Sequence, residues 1–220
     1  MRLIFLGPPG AGKGTIARLL KDRQGVEQLS SGDLLRQAVR KGDSLGKQAG
    51  QFIEKGVLVP DDVITGLMLQ LLSELNPKTS FILDGFPRTV EQAKALDKAL
   101  SEKKSAPISL VVDFELSPKT VVTRLVGRRV CQGCGANYHM DRLPPRKGGI
   151  CDRCGGMLLS RSDDQPETIL KRIDVYQKQT APLVSFYRAQ GKLRTVSGES
   201  EIEEQYRNLQ TVLKQEKLVS

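Results

Sequence analysis

The chain has 220 residues, 39% of them hydrophobic, which is enough for one α/β core with insertions and too few for two large domains. Its net charge of +9 suits a polyanionic ligand, either nucleic acid or nucleotide phosphates, although a solubilising surface excess is an alternative. Aromatic residues make up 5%, which disfavours a stacking surface for single-stranded nucleic acid. No apolar run approaches the length of a membrane span and the N-terminus does not resemble a signal peptide, so we expect a cytoplasmic protein without membrane association.

Short apolar segments alternate with amphipathic segments along most of the chain. The predicted strands are 2–6, 26–29, 81–83, 108–114 and 193–196, and the predicted helices are 14–24, 61–75, 90–103, 119–128, 166–190 and 201–217. Such alternation is typical of βαβ units and predicts a doubly wound α/β fold with a parallel sheet of five strands. Two segments interrupt the alternation and are predicted insertions: 30–59 has two helical patterns without a strand, and 127–164 is rich in Gly, Pro, Arg and Cys.

A glycine-rich loop follows the first predicted strand directly. It begins at Gly7-Pro8-Pro9, continues as Gly10-Ala11-Gly12-Lys13-Gly14-Thr15 and leads into a predicted helix. This order of elements is typical of a P-loop, in which backbone N–H groups and the helix N-terminus surround a phosphate while the lysine reaches its oxygens. A Gly-rich turn that carries a lysine by chance is the alternative. The sequence therefore predicts that Gly10, Ala11, Gly12, Lys13, Gly14 and Thr15 bind nucleotide phosphates.

The P-loop lysine is followed by Gly14, so the hydroxyl that usually contacts Mg²⁺ comes one residue late, at Thr15. We therefore expect carboxylates and water to hold this metal. Asp84 is the first candidate, because it follows a predicted strand at the sheet edge where open α/β proteins bind ligands. Asp33 is a second candidate, and a helix cap or a surface ion pair is the alternative role for either residue.

The four cysteines form two pairs. Cys131 and Cys134 make one Cys-x-x-Cys motif, and Cys151 and Cys154 make another after an interval of sixteen residues. This spacing is typical of a four-thiolate zinc site, with disulfides or buried free thiols as alternatives. A reducing cytosol disfavours disulfides, and the paired spacing disfavours isolated thiols. Because four thiolates leave no open coordination position, we predict a structural Zn²⁺ that stabilises the insertion 127–164.

The sequence resembles the nucleoside monophosphate kinases, whose P-loop has this Gly-Lys-Gly-Thr ending, and among them it is most similar to the adenylate kinases. Three segments carry the closer similarity: Ser30-Ser31-Gly32-Asp33-Leu34-Leu35-Arg36, then Gly56-Val57-Leu58-Val59-Pro60, then Asp84-Gly85-Phe86-Pro87-Arg88-Thr89 with Gln92. The resemblance runs from residue 2 to about residue 200. It implies a Mg²⁺-dependent transfer of a phosphoryl group from ATP to AMP, giving two ADP and supporting adenine nucleotide balance.

The resemblance also implies a division of the chain and a set of ligand contacts. The implied domains are a P-loop core (1–29, 60–126 and 165–220), an AMP-binding insertion (30–59) and a zinc-binding lid (127–164). The implied AMP contacts are Ser31, Arg36, Val57, Leu58, Val59, Gly85, Phe86, Pro87, Arg88, Gln92, Arg161 and Arg172. Besides the P-loop, the implied ATP contacts are Arg124, Arg128, Asn137, Tyr138 and Ser200.

Phosphoryl transfer requires converging cations rather than a general base. The resemblance accordingly assigns catalysis to Lys13, Arg88, Arg128, Arg161, Arg172 and Asp84, and we assign no catalytic role to His139, the single histidine. The expected partners are ATP, AMP and ADP, and we expect a monomer that binds no nucleic acid.

Two other functions compete with this interpretation. A kinase for UMP, CMP or GMP is the nearer one, and Gln92 and the long lid disfavour it. A zinc-ribbon ATPase that binds nucleic acid is suggested by the basic charge, whereas the P-loop followed by Asp84-Gly85-Phe86-Pro87-Arg88 favours the kinase.

Overall fold

A five-stranded parallel sheet lies at the centre of the structure, a computed structural model that describes residues 1–42, 44–103 and 105–219. Asp43, Lys104 and Ser220 lie outside the described residues; they belong to the expected domain ranges 30–59, 60–126 and 165–220, respectively. The strands are β1 (Arg2–Leu6), β2 (Glu27–Ser30), β3 (Phe81–Asp84), β4 (Leu110–Glu115), β5 (Arg128–Cys131), β6 (Asn137–His139), β7 (Leu158–Leu159) and β8 (Leu193–Ser197). The central sheet has the order β2-β3-β1-β4-β8, which confirms the predicted fold, although β4 begins at Leu110 rather than at residue 108.

Helices cover both faces of the central sheet. They are α1 (Lys13–Gln24), α2 (Ser31–Lys41), α3 (Ser44–Glu54), α4 (Asp61–Glu74), α5 (Val90–Glu102), α6 (Pro118–Val126), α7 (Pro166–Val175), α8 (Pro182–Ala189) and α9 (Ile202–Gln215). The predicted helix 119–128 ends earlier, at Val126, because Arg128 already belongs to β5. The predicted helix 166–190 is interrupted between α7 and α8 by a π-helical turn, Tyr176–Thr180. Within the described parts of the chain, no helix has the length and apolarity that a membrane span requires.

The register of the central strands collects polar residues at one edge of the sheet. Phe5 in β1 pairs with Asp84 in β3, and Leu6 in β1 pairs with Asp113 in β4. Because these strands are parallel, their carboxyl ends share the edge at which open α/β sheets bind ligands. The glycine-rich loop that follows β1 therefore lies beside Asp84.

Alternating residues of β1 contribute to two hydrophobic layers. Ile4 and Leu6 pack in a cluster that includes residues of α4, α5 and α8, whereas Leu3 and Phe5 pack in a cluster that includes residues of α1 and α9. Each fully buried side chain of this kind contributes about 1.5–3 kcal/mol relative to an exposed one. The two layers fix the sheet edge and hence the loop after β1.

The segment between β2 and α4 contains the two expected helices, α2 and α3. The Ser30 hydroxyl caps α2 by accepting a hydrogen bond from the Asp33 N–H at 3.2 Å. The helix ends at Gly42, whose φ of 69° favours glycine. The two helices pack so closely that a Cβ added at Gly46 would come within 2.1 Å of the Ala38 carbonyl oxygen.

The segment between α6 and α7 has its own small antiparallel sheet, with the order β6-β5-β7. Its buried hydrophobic cluster consists of Cys131, Ala136, Tyr138, Cys151 and Leu158. So small a core does not stabilise a segment by burial alone, which is why such segments usually carry a cross-link or a metal.

Candidate active site

A cavity of about 550 Å³ lies at the carboxyl edge of the central sheet, between the P-loop, the α2–α3 segment and the β5–β7 segment. Most of the predicted contact residues line it. They are Gly10, Ala11, Gly12, Lys13, Gly14, Thr15, Ser31, Arg36, Val57, Leu58, Val59, Asp84, Gly85, Pro87, Arg88, Gln92, Arg124, Arg128, Asn137, Tyr138, Arg161, Arg172 and Ser200. The exception is Phe86, which is fully buried in the hydrophobic core between Gly85 and Pro87, two residues that do line the cavity.

The P-loop is shaped by glycines with positive φ angles at the N-terminus of α1. Gly10 has a φ of 83° and Gly12 has a φ of 91°, a region in which glycine is strongly favoured. The Lys13 ammonium donates hydrogen bonds to the carbonyl oxygens of Gly7 at 2.6 Å and Pro8 at 2.8 Å. Burial lowers the pKa of Lys13 to about 8, although the nearby Asp84 carboxylate opposes this shift.

Asp84 explains why glycine follows the P-loop lysine. A Cβ at Gly14 would lie 3.0 Å from Asp84 Oδ2, so a larger residue at position 14 would crowd this carboxylate. Asp84 accepts a hydrogen bond from Gln28 Nε2 at 3.3 Å. Burial raises the pKa of Asp84, and Lys13 opposes the rise. Asp33, the second metal candidate, also lines the cavity but pairs with Arg36 at 2.7 Å.

Arginines from four parts of the chain converge on the cavity. Arg36 comes from α2, Arg88 from the loop after β3, Arg128 and Arg161 from the β5–β7 segment, and Arg172 from α7. The Arg88 side chain is accessible from the cavity yet surrounded by protein, and this burial lowers its pKa to about 10, with a further contribution from Arg172. Burial likewise lowers the pKa of Arg161 to about 9, with Arg128 adding to the effect.

Two buried carboxylates, Asp163 and Asp164, hold part of this arginine cluster. Arg128 donates from Nε and Nη2 to the two oxygens of Asp164, at 2.7 and 2.6 Å. Arg172 contacts Asp164 at 2.9 Å and Asp163 at 3.1 Å. Burial acts to raise the pKa of Asp163, but Arg172, Arg128 and Arg161 outweigh it and lower that pKa. Sequence reasoning missed this role, because adjacent acidic residues in a loop do not indicate which distant arginines they meet.

On the P-loop side, a backbone loop at 198–200 is held by two side chains. Arg124 donates to the carbonyl oxygens of Gly10 at 3.4 Å and Glu199 at 3.0 Å, and so joins the P-loop to this backbone loop. Gln205 donates to the carbonyl oxygens of both Gly198 and Ser200 at 2.7 Å. Gln205 is fully buried, and a Cβ at Gly12 would come within 2.8 Å of its Oε1 atom. No sequence motif marks Gln205, which lies inside the amphipathic pattern of α9.

On the opposite side, the segment after β3 is tied to the starts of α2 and α4. Ser31 Oγ donates to the Gly85 carbonyl oxygen at 2.6 Å, and Arg88 Nε donates to the same oxygen at 2.9 Å. Gln92 Nε2 donates to Asp61 Oδ1 at 2.7 Å. The predicted residues of this segment therefore form one connected wall of the cavity.

The four cysteines come together at one end of the β5–β7 sheet. Their sulfur atoms all lie within 4.8 Å of one another, with Cys131 Sγ and Cys154 Sγ 3.4 Å apart and Cys134 Sγ and Cys151 Sγ 3.6 Å apart. A tetrahedral zinc with bonds of about 2.3 Å puts sulfur atoms about 3.8 Å apart, so the donor set fits this metal. The cysteines are free thiols rather than disulfides.

Comparison with known proteins bears on the function of this cavity. The adenylate kinase family model matches residues 5–192. An adenylate kinase of Thermodesulfovibrio yellowstonii is 47% identical over 213 residues, which cover 97% of this chain and 99% of that protein. An adenylate kinase of Archaeoglobus fulgidus is 45% identical over 213 residues, with coverage of 97% and 98%, and one of Geobacter sp. strain M21 is 48% identical over 203 residues, with coverage of 92% and 94%.

This chain belongs to the adenylate kinase family. Its β5–β7 segment lies against the core on the P-loop side of the cavity. Arg18 in α1 donates to the carbonyl oxygens of Cys134 at 3.3 Å and Gly135 at 3.1 Å. Arg153 pairs with Asp22 of α1 at 3.5 Å. In this arrangement the segment covers part of the cavity.

His139 has a structural environment at the joint of this segment. Its Nδ1 atom accepts hydrogen bonds from the backbone N–H groups of Asp141 at 3.1 Å and Arg142 at 3.3 Å. A Cβ at Gly127 would come within 2.4 Å of the imidazole ring, so the glycine permits close packing here. Its ring therefore shapes the joint, and we keep the prediction that it has no catalytic role in this member of the adenylate kinase family.

The lowered pKa of Lys13 predicts an alkaline limit on nucleotide binding. Below about pH 8 the ammonium carries its charge, and above it the neutral amine no longer attracts phosphate, so kcat/KM for ATP should fall up to about tenfold per pH unit. Bound phosphates raise the pKa of Lys13, so kcat should begin to fall at a higher pH than kcat/KM does. The measurement is a pH profile at constant ionic strength.

Lys13→Arg should move the alkaline limit upward, because a guanidinium retains its proton more strongly. A flat wild-type profile to about pH 9.5 would contradict the assignment of the limit to Lys13.

Proposed function

We propose that this protein transfers a phosphoryl group reversibly from ATP to AMP, giving two ADP, and so helps to balance the adenine nucleotides. The observation that carries the proposal is the convergence of Lys13 with Arg36, Arg88, Arg128, Arg161 and Arg172 on a single cavity that joins the P-loop to the Arg88–Gln92 wall. Membership of the adenylate kinase family supports the same reaction. A cavity with so many cations suits two phosphate chains that meet end to end.

ATP would occupy the P-loop side of the cavity. Residues 10–15 would surround its β- and γ-phosphates with backbone N–H groups, and Lys13 would add a full charge. The adenine would lie near Arg124 and the 198–200 loop, facing Asn137 and Tyr138 of β6. The Tyr138 hydroxyl accepts a hydrogen bond from the Asp152 N–H at 2.8 Å, so its ring and backbone rather than its hydroxyl are available to the nucleotide.

AMP would occupy the opposite side. Arg36 and Arg88 would bind its phosphate, with Arg161 and Arg172 between the two nucleotides, because the planar guanidinium suits the bidentate binding of phosphate oxygens. The adenine of AMP would lie among residues that we expect to provide van der Waals contacts or, in one case, hydrogen bonds from a side-chain amide. These residues are Ser31, Val57, Leu58, Val59, Gly85, Pro87 and Gln92, and the buried Phe86 would support this wall from the core.

The reaction depends on alignment and on stabilising charge. The phosphate of AMP is itself an oxygen nucleophile, so no side chain has to remove a proton from it. Lys13, Arg88, Arg128, Arg161 and Arg172 would stabilise charge on the oxygens of the transferring group. Adenylate kinases use Mg²⁺ with ATP, and the metal supplies charge neutralisation on the phosphates when bound. Asp84 would be suitably placed near this metal. Among the described residues, its cavity-lining carboxylate accepts a hydrogen bond only from the neutral Gln28.

The three parts of the chain would have separate tasks. We assign 1–29, 60–126 and 165–220 to the core, 30–59 to AMP binding and 127–164 to a lid that excludes water from the reacting phosphate. The four cysteines would hold Zn²⁺, which would stabilise the lid without contacting substrate. We also assign the protein to the cytoplasm as a monomer that binds no nucleic acid. The four cysteines form no disulfide, which suits a reducing compartment, and the basic charge is partly accounted for by the cavity.

The experiment that tests the proposal is a coupled assay with ATP and each of AMP, GMP, CMP and UMP. We expect the highest kcat/KM for AMP, because Gln92 offers an amide edge to a purine. A higher kcat/KM for UMP or CMP would contradict the assignment of the acceptor site.

Replacing Arg88 should impair catalysis more than folding. Arg88→Ala removes one preorganised charge from the cavity, so we expect kcat to fall at least ~10²-fold. The thermal unfolding temperature should change little, because the side chain faces the cavity. Arg40→Ala is the matched control, since Arg40 is exposed on α2 and forms no ion pair with any residue that the structure describes. Turnover of Arg88→Ala near that of the control would remove Arg88 from the reacting centre.

Loss of a zinc ligand should melt the lid before the core. Because the lid has little hydrophobic core, metal binding supplies much of its folding free energy. Cys151→Ala should bind less than one zinc per chain and unfold at a lower temperature, yet retain measurable activity at low temperature with a raised KM for ATP. Metal content, calorimetry and kinetics measure these effects. Wild-type protein without stoichiometric zinc, or a folded, zinc-loaded but inactive variant, would count against the structural role.

A further inference from the structure

The carboxylate of Asp61 joins the start of α4 to the start of α5. Its Oδ1 accepts from Gln92 Nε2 at 2.7 Å, and its Oδ2 accepts from Thr89 Oγ1 at 2.6 Å. Gln92 is only 2% exposed and lines the cavity, so its amide lies between Asp61 and the space for a ligand. Asp61 itself follows Val59 and Pro60, the last residues of the adjoining wall.

The hydrogen bonds around Asp61 have a fixed direction. The backbone N–H of Gln92 donates to Thr89 Oγ1 at 3.2 Å, which leaves the Thr89 hydroxyl proton for Asp61. The backbone N–H of Arg88 donates to Gln92 Oε1 at 2.6 Å, while Nε2 faces the carboxylate. An ionised carboxylate only accepts and a backbone N–H only donates, so a reversed Gln92 amide would face a mismatch at both ends.

We propose that Asp61 is a positioning residue: by fixing the orientation of the Gln92 amide, it makes the acceptor site select a 6-aminopurine monophosphate over a 6-oxopurine monophosphate. This inference rests on the proposed function, in which Gln92 faces the base of AMP. A 6-aminopurine presents a donor at its amino group and an acceptor at N1. A 6-oxopurine presents the reverse pattern, an acceptor at O6 and a donor at N1. A fixed amide therefore matches only one of these two edges.

The position of Asp61 at the start of α4 also gives it a role in stabilising the helix N-terminus, and a control variant separates this role from the positioning of Gln92. Asp61 and Asp62 both lie in the first turn of α4, where a negative charge stabilises a helix N-terminus. Asp62 is exposed and forms no hydrogen bond or ion pair with a described residue. Asp62→Asn therefore removes the same helix-end charge without disturbing Gln92.

The experiment compares AMP with inosine monophosphate, a 6-oxopurine acceptor, in Asp61→Asn, Asp62→Asn and wild type. An asparagine at position 61 can accept from Gln92 Nε2 or donate to the oxygen of a reversed Gln92 amide, while the Thr89 hydroxyl can rotate to suit either case, so position 61 no longer imposes one orientation on Gln92. We expect the ratio of kcat/KM for AMP to that for inosine monophosphate to fall at least ~10-fold in Asp61→Asn, mainly through the KM for AMP. The KM for ATP should stay unchanged, and Asp62→Asn should match wild type.

Calorimetric titration of AMP and inosine monophosphate without ATP provides a readout that is independent of turnover. The ratio of their two Kd values should change in the same direction. If Asp61→Asn does not fold, Asp61→Ser serves instead, because a hydroxyl can donate as well as accept and no longer fixes the amide. In either variant, a ratio equal to that of Asp62→Asn overturns the proposal.

Gln92→Leu distinguishes failure of this inference from failure of the proposed acceptor site. If Gln92→Leu weakens AMP binding while Asp61→Asn behaves like the control, Gln92 contacts the base and only the positioning role of Asp61 is wrong. If Gln92→Leu leaves both KM values unchanged, the base is not bound at Gln92 and the proposed acceptor site fails with it.

Discussion

Mutual repulsion among the cations of the cavity is the constraint on which the rest of the structure depends. Lys13, Arg88 and Arg161 all line the cavity, where surrounding protein removes much of their hydration, and this desolvation together with neighbouring positive charges lowers their pKa values. Like charges repel one another more strongly when water is excluded from between them. The fold must therefore hold these cations in place by packing and by opposite charge. The hydrophobic layers on both faces of the sheet supply the packing, and a few carboxylates supply the opposite charge.

The carboxylates are distributed so that each supports a different part of the cation cluster. Asp84 lies beside Lys13 at the sheet edge, whereas Asp163 and Asp164 hold Arg128 and Arg172 between the β5–β7 segment and α7. The phosphates of two nucleotides would bring further negative charge to the same place. Ligand binding would therefore relieve repulsion that the protein otherwise bears, and part of the binding free energy would come from this relief.

Local chemistry explains which features could be predicted from the sequence. The P-loop and the paired cysteines are runs of consecutive or closely spaced residues whose chemistry requires that spacing, and β1 is a short apolar run before a glycine. Contacts between residues that are distant in the chain produce no recognisable spacing pattern in the sequence. Asp61 and Gln92 are 31 positions apart, and Arg128 and Asp164 are 36 apart. Either partner alone is typical of an exposed polar residue, so only the fold reveals the pair.

Segment boundaries were less predictable for a related reason. Arg128 was expected at the end of a helix, but the chain changes to an extended conformation after Gly127, where β5 begins. The helix predicted over 166–190 has helical periodicity on both sides of residue 176. Periodicity alone therefore did not indicate the π-helical turn between its two halves, because each half satisfies the pattern separately.

That π-helical turn sets the rotational phase between two halves of one helical rod. The first half directs Arg172 into the cavity, and the second half buries Leu183 and Tyr187 in the core. An α-helix advances about 100° per residue, so deleting one residue from Tyr176–Thr180 would rotate one half by that angle against the other. Either the arginine would leave the cavity or the two core residues would turn toward solvent. The wide turn thus allows a single rod to serve a polar cavity and an apolar core that do not lie in helical register.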